Sequence, residues 1–199
     1  AFSTYLKGDR KEVIVGRDVR LSGEALEDAL IEGLLSGGCN IEDIGVVTTP
    51  ILYFSTSHYG KDGGVMVTAS HNPPDWNGFK LLTRTGFICE GKGMEDLKKI
   101  ALDGQFKYSK VGELEKNDRI LADYKDYVLR RIHLEHGLKG VFDPGNGSCS
   151  LLIPSLYEGA EISVVALNSK PDGSFPAHPP EPTKDALGEL AKVVLREKA

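Results

Sequence analysis

The sequence predicts an α/β fold: a mixed-sheet α/β/α domain followed by part of a second, similar domain. Three observations carry this. Through the first half, short β-branched runs alternate with amphipathic helical stretches. The turn signal Asn77-Gly78 folds one run back antiparallel, so the sheet is mixed. After a polar stretch from Asp103 to Asn117, the β-α-β rhythm starts again.

The elements follow in order. Phe2, Tyr5 and Leu6 sit at helical spacing and Gly8 reads as a helix stop, so a helix is expected to begin ahead of residue 1. Glu12-Val-Ile-Val-Gly16 is a short strand ending in the turn Arg17-Asp-Val-Arg20. Ser22 is placed to cap a helix with Ala25, Leu26, Ala29, Leu30 and Leu34 on one face, stopped by Gly37-Gly38. Ile44 to Thr48 is the next strand. Thr49 as N-cap and Pro50 at the first helical position open a helix to about Tyr59. Gly64 to Thr68 is a strand, Phe79 to Leu82 its returning partner, and a helix around Glu95–Leu102 closes the unit. The boundary falls in the polar stretch, giving expected domains 1–116 and 117–199. The second contains a helix near Asp118–Leu134, with Ile120, Leu121, Tyr124, Tyr127, Val128 and Ile132 at helical spacing. A strand and Gly-rich turn follow in Gly140–Ser148, then a strand at Ile162–Leu167 and a rigid loop from Pro171 to Pro182. A charged amphipathic helix runs from Ala186 to the last residue. Both ends read as cut, so the chain is expected to be a fragment of a longer protein.

Composition sets bounds. The 199 residues, 40% hydrophobic and 27% charged, suit a soluble globular chain able to bury a core. A net charge of −5 leaves no basic footprint for nucleic acid. The cysteines Cys39, Cys89 and Cys149 are odd in number and far apart, which argues against a disulfide framework and a thiolate zinc site. Incidental thiols in a reducing compartment, hence a cytoplasmic location, are expected. No run is long and apolar enough to span a bilayer, and the N-terminal residues lack the pattern of a signal peptide.

Residues 66–82 carry the chemistry. The strand delivers the backbone to Ser70, followed by His71 and Asn72, and Pro73-Pro74 then forbids both helix and ladder pairing. The chain must leave the strand as a stiff, exposed loop with Ser70 at its lip. Asn77-Gly78 turns it back, and Lys80, at the start of the return run, is placed to face the loop. A hydroxyl nucleophile, a cation and a cluster of donors on one rigid loop suit phosphoryl chemistry. The alternative is a Pro/Asn/Gly surface hairpin with an ordinary serine.

Thr68-Ala-Ser-His-Asn-Pro-Pro-Asp-Trp-Asn-Gly-Phe-Lys80 resembles the active-site loop of the α-D-phosphohexomutases, the phosphomannomutase/phosphoglucomutase family. The match is long and ordered residue by residue. Asp143-Pro-Gly-Asn-Gly147, Pro171-Asp-Gly-Ser-Phe-Pro176 and Pro182 stand where that family has similar signatures, so the resemblance covers nearly the whole chain. It implies that Ser70 carries a phosphate, gives it to one hydroxyl of a sugar phosphate, and takes one back from the other end of a hexose 1,6-bisphosphate. It implies that Lys80 handles a proton or supports the reacting oxygen electrostatically. His71 and Asn72 either donate to the phosphate or brace the loop.

The remaining polar clusters have plainer readings. Arg17 and Arg20 are expected to brace the neighbouring loop through an ion pair with Asp18. Gly145-Asn-Gly147 reads as a tight turn rather than a phosphate cradle, and His178 as a loop residue. Glu24/Glu27/Asp28 and Glu113/Glu115 read as solvated faces.

The resemblance also implies Mg²⁺ in the parent protein, bound through the phosphate of Ser70 and an Asp-Gly-Asp-Gly-Asp-Arg loop. No such run occurs in this chain. The parent is therefore expected to interconvert hexose 1- and 6-phosphates, and this polypeptide alone to be inactive. Trp76-Asn-Gly-Phe-Lys80 favours mannose or glucose phosphates over glucosamine phosphate. Self-association through apolar surface left open in the second domain is a further expectation. The competing class is a non-catalytic sugar-phosphate-binding or interaction module on the same scaffold. A serine hydrolase is disfavoured because the Gly-x-Ser-x-Gly elbow is missing.

Overall fold

A computed structural model describes residues 1–8, 11–84, 86–88 and 91–199, with the backbone alone for 86–88. Cys89 lies outside the described residues. The first unit runs α1 (Phe2–Tyr5), β1 (Lys11–Arg17), α2 (Gly23–Ser36), β2 (Cys39–Val46), α3 (Thr49–His58), β3 (Gly63–Val67), β4 (Phe79–Thr83), β5 (Gly86–Ile88), α4 (Gly91–Asp103) and β6 (Leu114–Lys116). These strands form one sheet in the order β5-β4-β3-β1-β2-β6. β2, β1, β3 and β6 are parallel neighbours, while β4 and β5 run antiparallel, so the sheet is mixed as expected.

Strand alternation divides the apolar side chains between two faces. Val13 and Val15 of β1 pack with Val65, Ile41, α2 residues Ile31 and Leu34, and α4 residue Leu97. Ile14, Ile44 and Met66 point the other way, onto Ile51 and Leu52 of α3. That second core continues into Ile120 of α5 (Ile120–Leu129) and Leu152 and Leu156 at α6 (Ile153–Gly159). The remaining elements are β7 (Lys139–Phe142), a 3-10 turn (Ser148–Leu151), β8 (Ser163–Ala166) and α7 (Gly188–Glu197). β7 and β8 are a parallel pair, with α6 against β8 and α7 against β7.

Several expectations shift. β2 begins at Cys39, not Ile44, because the chain pairs with β1 as soon as Gly38 (φ +76°) has turned it. Asn40 and Glu42 mask the strand in the sequence, yet Asn40 bonds Glu12 and Glu42 pairs with Lys61 at 2.8 Å. α2 buries Glu27, Ile31 and Leu34 and exposes Ala25 and Ala29, so its inner face is rotated from the apolar stripe. Glu27 is drawn inward by Arg17 Nε, which donates to it at 2.9 Å. This overturns the reading of Glu27 as part of a solvated face, although Glu24 and Asp28 are exposed. Ser22 makes no side-chain cap; its hydroxyl accepts from Asn77 instead. The N-cap of α3 is Thr48 rather than Thr49, one residue earlier than the Thr-Pro pattern suggested. α5 stops at Leu129 rather than Leu134, and β6 falls inside the stretch whose polarity hid it. Cys39 is buried, and burial pushes its thiol up to about 11.

Candidate functional site

Ser70 stands where β3 leaves the sheet. The Val67↔Phe79 register closes β3 against β4, and Thr68 N–H donates to the Gly78 carbonyl at 2.9 Å, sealing the loop base. Between these ends, residues 69–77 form the loop that Pro73-Pro74 keeps out of regular structure. Ser70 is exposed, with φ +57°, a left-handed conformation that costs a non-glycine residue about 1–2 kcal/mol. The Asn72 N–H donates to Ala69 O, and the Trp76 N–H to Pro73 O, so the loop is two consecutive tight turns.

A polar relay supports it from below. Ser70 N–H donates to Thr68 Oγ1 at 3.0 Å, and the Thr68 hydroxyl donates to Asp18 Oδ2 at 2.6 Å. Asp18 in turn accepts from Arg20 Nε at 3.2 Å and from the Arg20 backbone at 3.0 Å. The Asp18–Arg20 ion pair is as expected for Arg20; Arg17 departs from that expectation and joins Glu27 instead. Burial, then Asp43, pushes the Glu27 carboxyl up to about 7 against the pull of Arg17.

The four expected site residues are arranged unequally. Ser70 and His71 line a cavity of about 250 Å³ between the two units, across from the turn after β7 and the loop that holds His178. His71 is exposed, and its Nδ1 lies 3.5 Å from Glu181 of the second unit. Asn72 contributes its backbone to the loop while its side chain is exposed and away from the cavity wall. Lys80 sits opposite Met66 in register, so its half-buried side chain lies on the sheet face of that cavity-lining methionine, though not in the wall itself. Among the described residues no hydrogen bond or ion pair engages its ammonium.

The far wall is built by the Gly-rich turn. Gly145 (φ +54°) and Asn146 (φ +60°) make the tight strand exit expected of this motif. Buried Asn146 donates to Lys170 O at 2.9 Å and accepts from the Ala177 amide, tying the turn to the 171–177 loop. His178 is more than a loop residue. Its ring packs over Gly145, where a Cβ would come within 2.7 Å of Cε1, and Nε2 lies 3.4 Å from Asp143 Oδ2. The sequence offered no fixed spacing that could reveal this pair.

Among the described residues no group of three or more His, Cys, Asp or Glu side chains is placed to hold a metal ion. Both cavity carboxylates are engaged, Asp18 by Arg20 and Thr68, and Asp143 by the Gly145 amide and Asn168. The described protein groups do not by themselves fit Mg²⁺.

Comparison with known proteins decides the family. Residues 1–107 match the model of phosphoglucomutase/phosphomannomutase alpha/beta/alpha domain I, and residues 122–199 that of domain II. The chain belongs to the phosphoglucomutase/phosphomannomutase family. A Thermococcus kodakarensis protein named phosphoglucomutase/phosphomannomutase is 40% identical, over 98% of this chain and 44% of its own length. A Pyrococcus abyssi protein named "Probable phosphoglucosamine mutase" is 38% identical, over 100% of this chain and 44% of its own length. The crystal structure of a Burkholderia thailandensis family protein superposes with a TM-score of 0.85 at 35% identity, over 95% of this chain and 44% of that one. The chain thus spans less than half the length of these relatives.

Proposed function

We propose that the full-length protein interconverts hexose 1-phosphates and 6-phosphates, with mannose or glucose as the sugar and Ser70 as phosphoryl carrier. The observation that supports this most is Ser70 itself: exposed, held in a left-handed conformation, and set at the edge of a cavity between two units of this family. In the first half-reaction the Ser70 Oγ–P bond breaks as a sugar hydroxyl oxygen bonds phosphorus and gives up its proton. The bisphosphate then returns its other phosphoryl group to Ser70 Oγ. Lys80 stabilises the transferring group or handles the proton, and His71 and Asn72 steady the phosphate or the loop. A phosphate on Ser70 would supply one oxygen ligand to Mg²⁺, whose charge would offset that of the phosphoryl group, and the remaining ligands would come from elsewhere in the full-length protein. The two domains divide at 116/117, just after β6 completes the first sheet. The protein acts in the cytoplasm. The 199-residue chain self-associates through apolar side chains such as exposed Leu195.

Ser70→Ala in the full-length protein is the test. Activity should fall at least 10³-fold, and the phosphate on the purified protein, read by intact mass, should vanish, while circular dichroism is unchanged. Near-normal turnover would rule out Ser70 as carrier. An unphosphorylated wild-type protein that binds but does not convert sugar phosphates would instead identify a non-catalytic module. Side-by-side assays with mannose, glucose and glucosamine 1-phosphates test the sugar assignment.

A further inference from the structure

We propose that Arg20 is the positioning residue of the Ser70 loop, and that the second unit locks it in place; this rests on the reading of Ser70 as phosphoryl carrier. A loop containing Pro73-Pro74 is short of backbone donors, yet its carbonyls converge on one point. That point is the Arg20 guanidinium, in a residue only 1% exposed. Nη2 donates to Ser70 O at 2.9 Å and to Asn72 O at 2.8 Å. Nη1 donates to Pro73 O and, at 3.0 Å, to Trp76 O, while Nε donates to Asp18. Arginine has five side-chain N–H groups, and every one is used.

The arrangement fixes Ser70 from both sides of its Cα. Its N–H is held by Thr68, which Asp18 orients; its carbonyl is held by Arg20, which Asp18 also orients. The left-handed conformation of Ser70, unfavourable by itself, is thereby held by one buried fork. Lysine could not replace it, because an ammonium has three donors and no planar fork.

The second unit closes the back of this fork. The Phe175 ring lies 5.4 Å from the Arg20 guanidinium carbon. Gly173 sits so close to the Arg20 turn that a Cβ would fall 2.1 Å from Val19 O and 2.8 Å from Leu21 N. Backbone meets backbone there, so neither side can yield as a flexible side chain would. The backbone that carries the Ser70 hydroxyl is therefore held jointly by the two units, without Arg20 touching substrate.

The test is Arg20→Lys in the full-length protein, compared with the parent and Ser70→Ala. Misplacing a reacting atom by about 1 Å can cost about 10²-fold. We expect kcat per folded molecule to fall at least about 10-fold while KM for the sugar phosphate moves less than about threefold. Amide exchange across residues 70–78 should quicken, and Phe175→Leu should shift kcat the same way by less. A folded Arg20→Lys protein with kcat within about twofold of the parent, or with only KM raised, overturns the proposal. Should Arg20→Lys not fold, Asp18→Asn carries the same test, since either amide orientation leaves a donor facing a donor; an unchanged kcat there overturns it equally. If Ser70→Ala retains activity, the carrier assignment fails; if Ser70→Ala is inactive but Arg20→Lys is not impaired, only the role of Arg20 fails.

Discussion

At the scale of single residues, the cation nearest in sequence to the Ser70 loop has a specific geometric problem. Lys80 shares a sheet face with Met66, one of the residues lining the cavity, but its ammonium has no partner among the described residues. A free, half-buried cation is a charge available to an incoming phosphoryl group. If it acts mainly in the transition state, Lys80→Met should lower kcat about 10²-fold and raise KM far less. Steady-state kinetics on the full-length protein checks this, and a KM effect alone would make Lys80 a ground-state clamp. Ser70, the Pro-Pro loop and the Asn77-Gly78 return are legible in the sequence because each residue type restricts its own backbone. Arg20 was legible only as a partner for Asp18. Nothing local distinguishes a surface arginine from one whose fork fills with four distant carbonyls, although a donor-poor Pro-Pro loop does call for an outside donor.

At the scale of elements, α2 shows how a tertiary contact overrides a pattern. The apolar stripe pointed to Ala25 and Ala29, but Arg17 at the end of β1 pulls Glu27 into the interface and turns the helix. The sequence could not reveal this, because the pairing spans two elements whose relative placement it does not encode locally. The same holds for β2, whose Asn40 and Glu42 find partners on β1 and beside it. Glu27 makes the contact testable. Burial raises its carboxyl from 4.5 to about 7, so the folded state binds the proton more tightly than the unfolded state. Its contribution is most favourable below the unfolded value and is lost as pH rises through about 4.5 to 7. Wild-type protein should therefore lose up to about 3 kcal/mol from this group between pH 4 and pH 8. Glu27→Gln, which cannot titrate, should flatten that part of the profile, as read from urea midpoints at the two pH values. Parallel profiles for the two proteins would mean that Glu27 stays ionised throughout.

At the scale of the whole molecule, the fold class and order of units were legible from β-α rhythm, but their joint was not. Helical spacing placed Ile120, Leu121, Tyr124 and Val128 on one face of α5 without saying what that face meets. It meets the first unit: Ile120, 2% exposed, packs with Ile14, Met66 and Leu52, and with Leu152 and Leu156 of the second unit. Tyr59 at the end of α3 adds a 2.7 Å hydrogen bond to Asp123 on α5. One core therefore serves both units, and the Gly173 and Phe175 contacts extend the joint to the Ser70 loop. Two bodies sharing a core should unfold together. Ile120→Ala removes a fully buried side chain and should cost about 2–5 kcal/mol. The only tryptophan, Trp76, lies in the Ser70 loop, so its fluorescence reports on the first unit while far-UV circular dichroism reports on all helices. In urea, both signals should lose stability by the same amount and keep coincident midpoints. A tryptophan transition left in place while the dichroism midpoint falls would show that the units fold separately, and that the joint behind Ser70 closes only after each has formed.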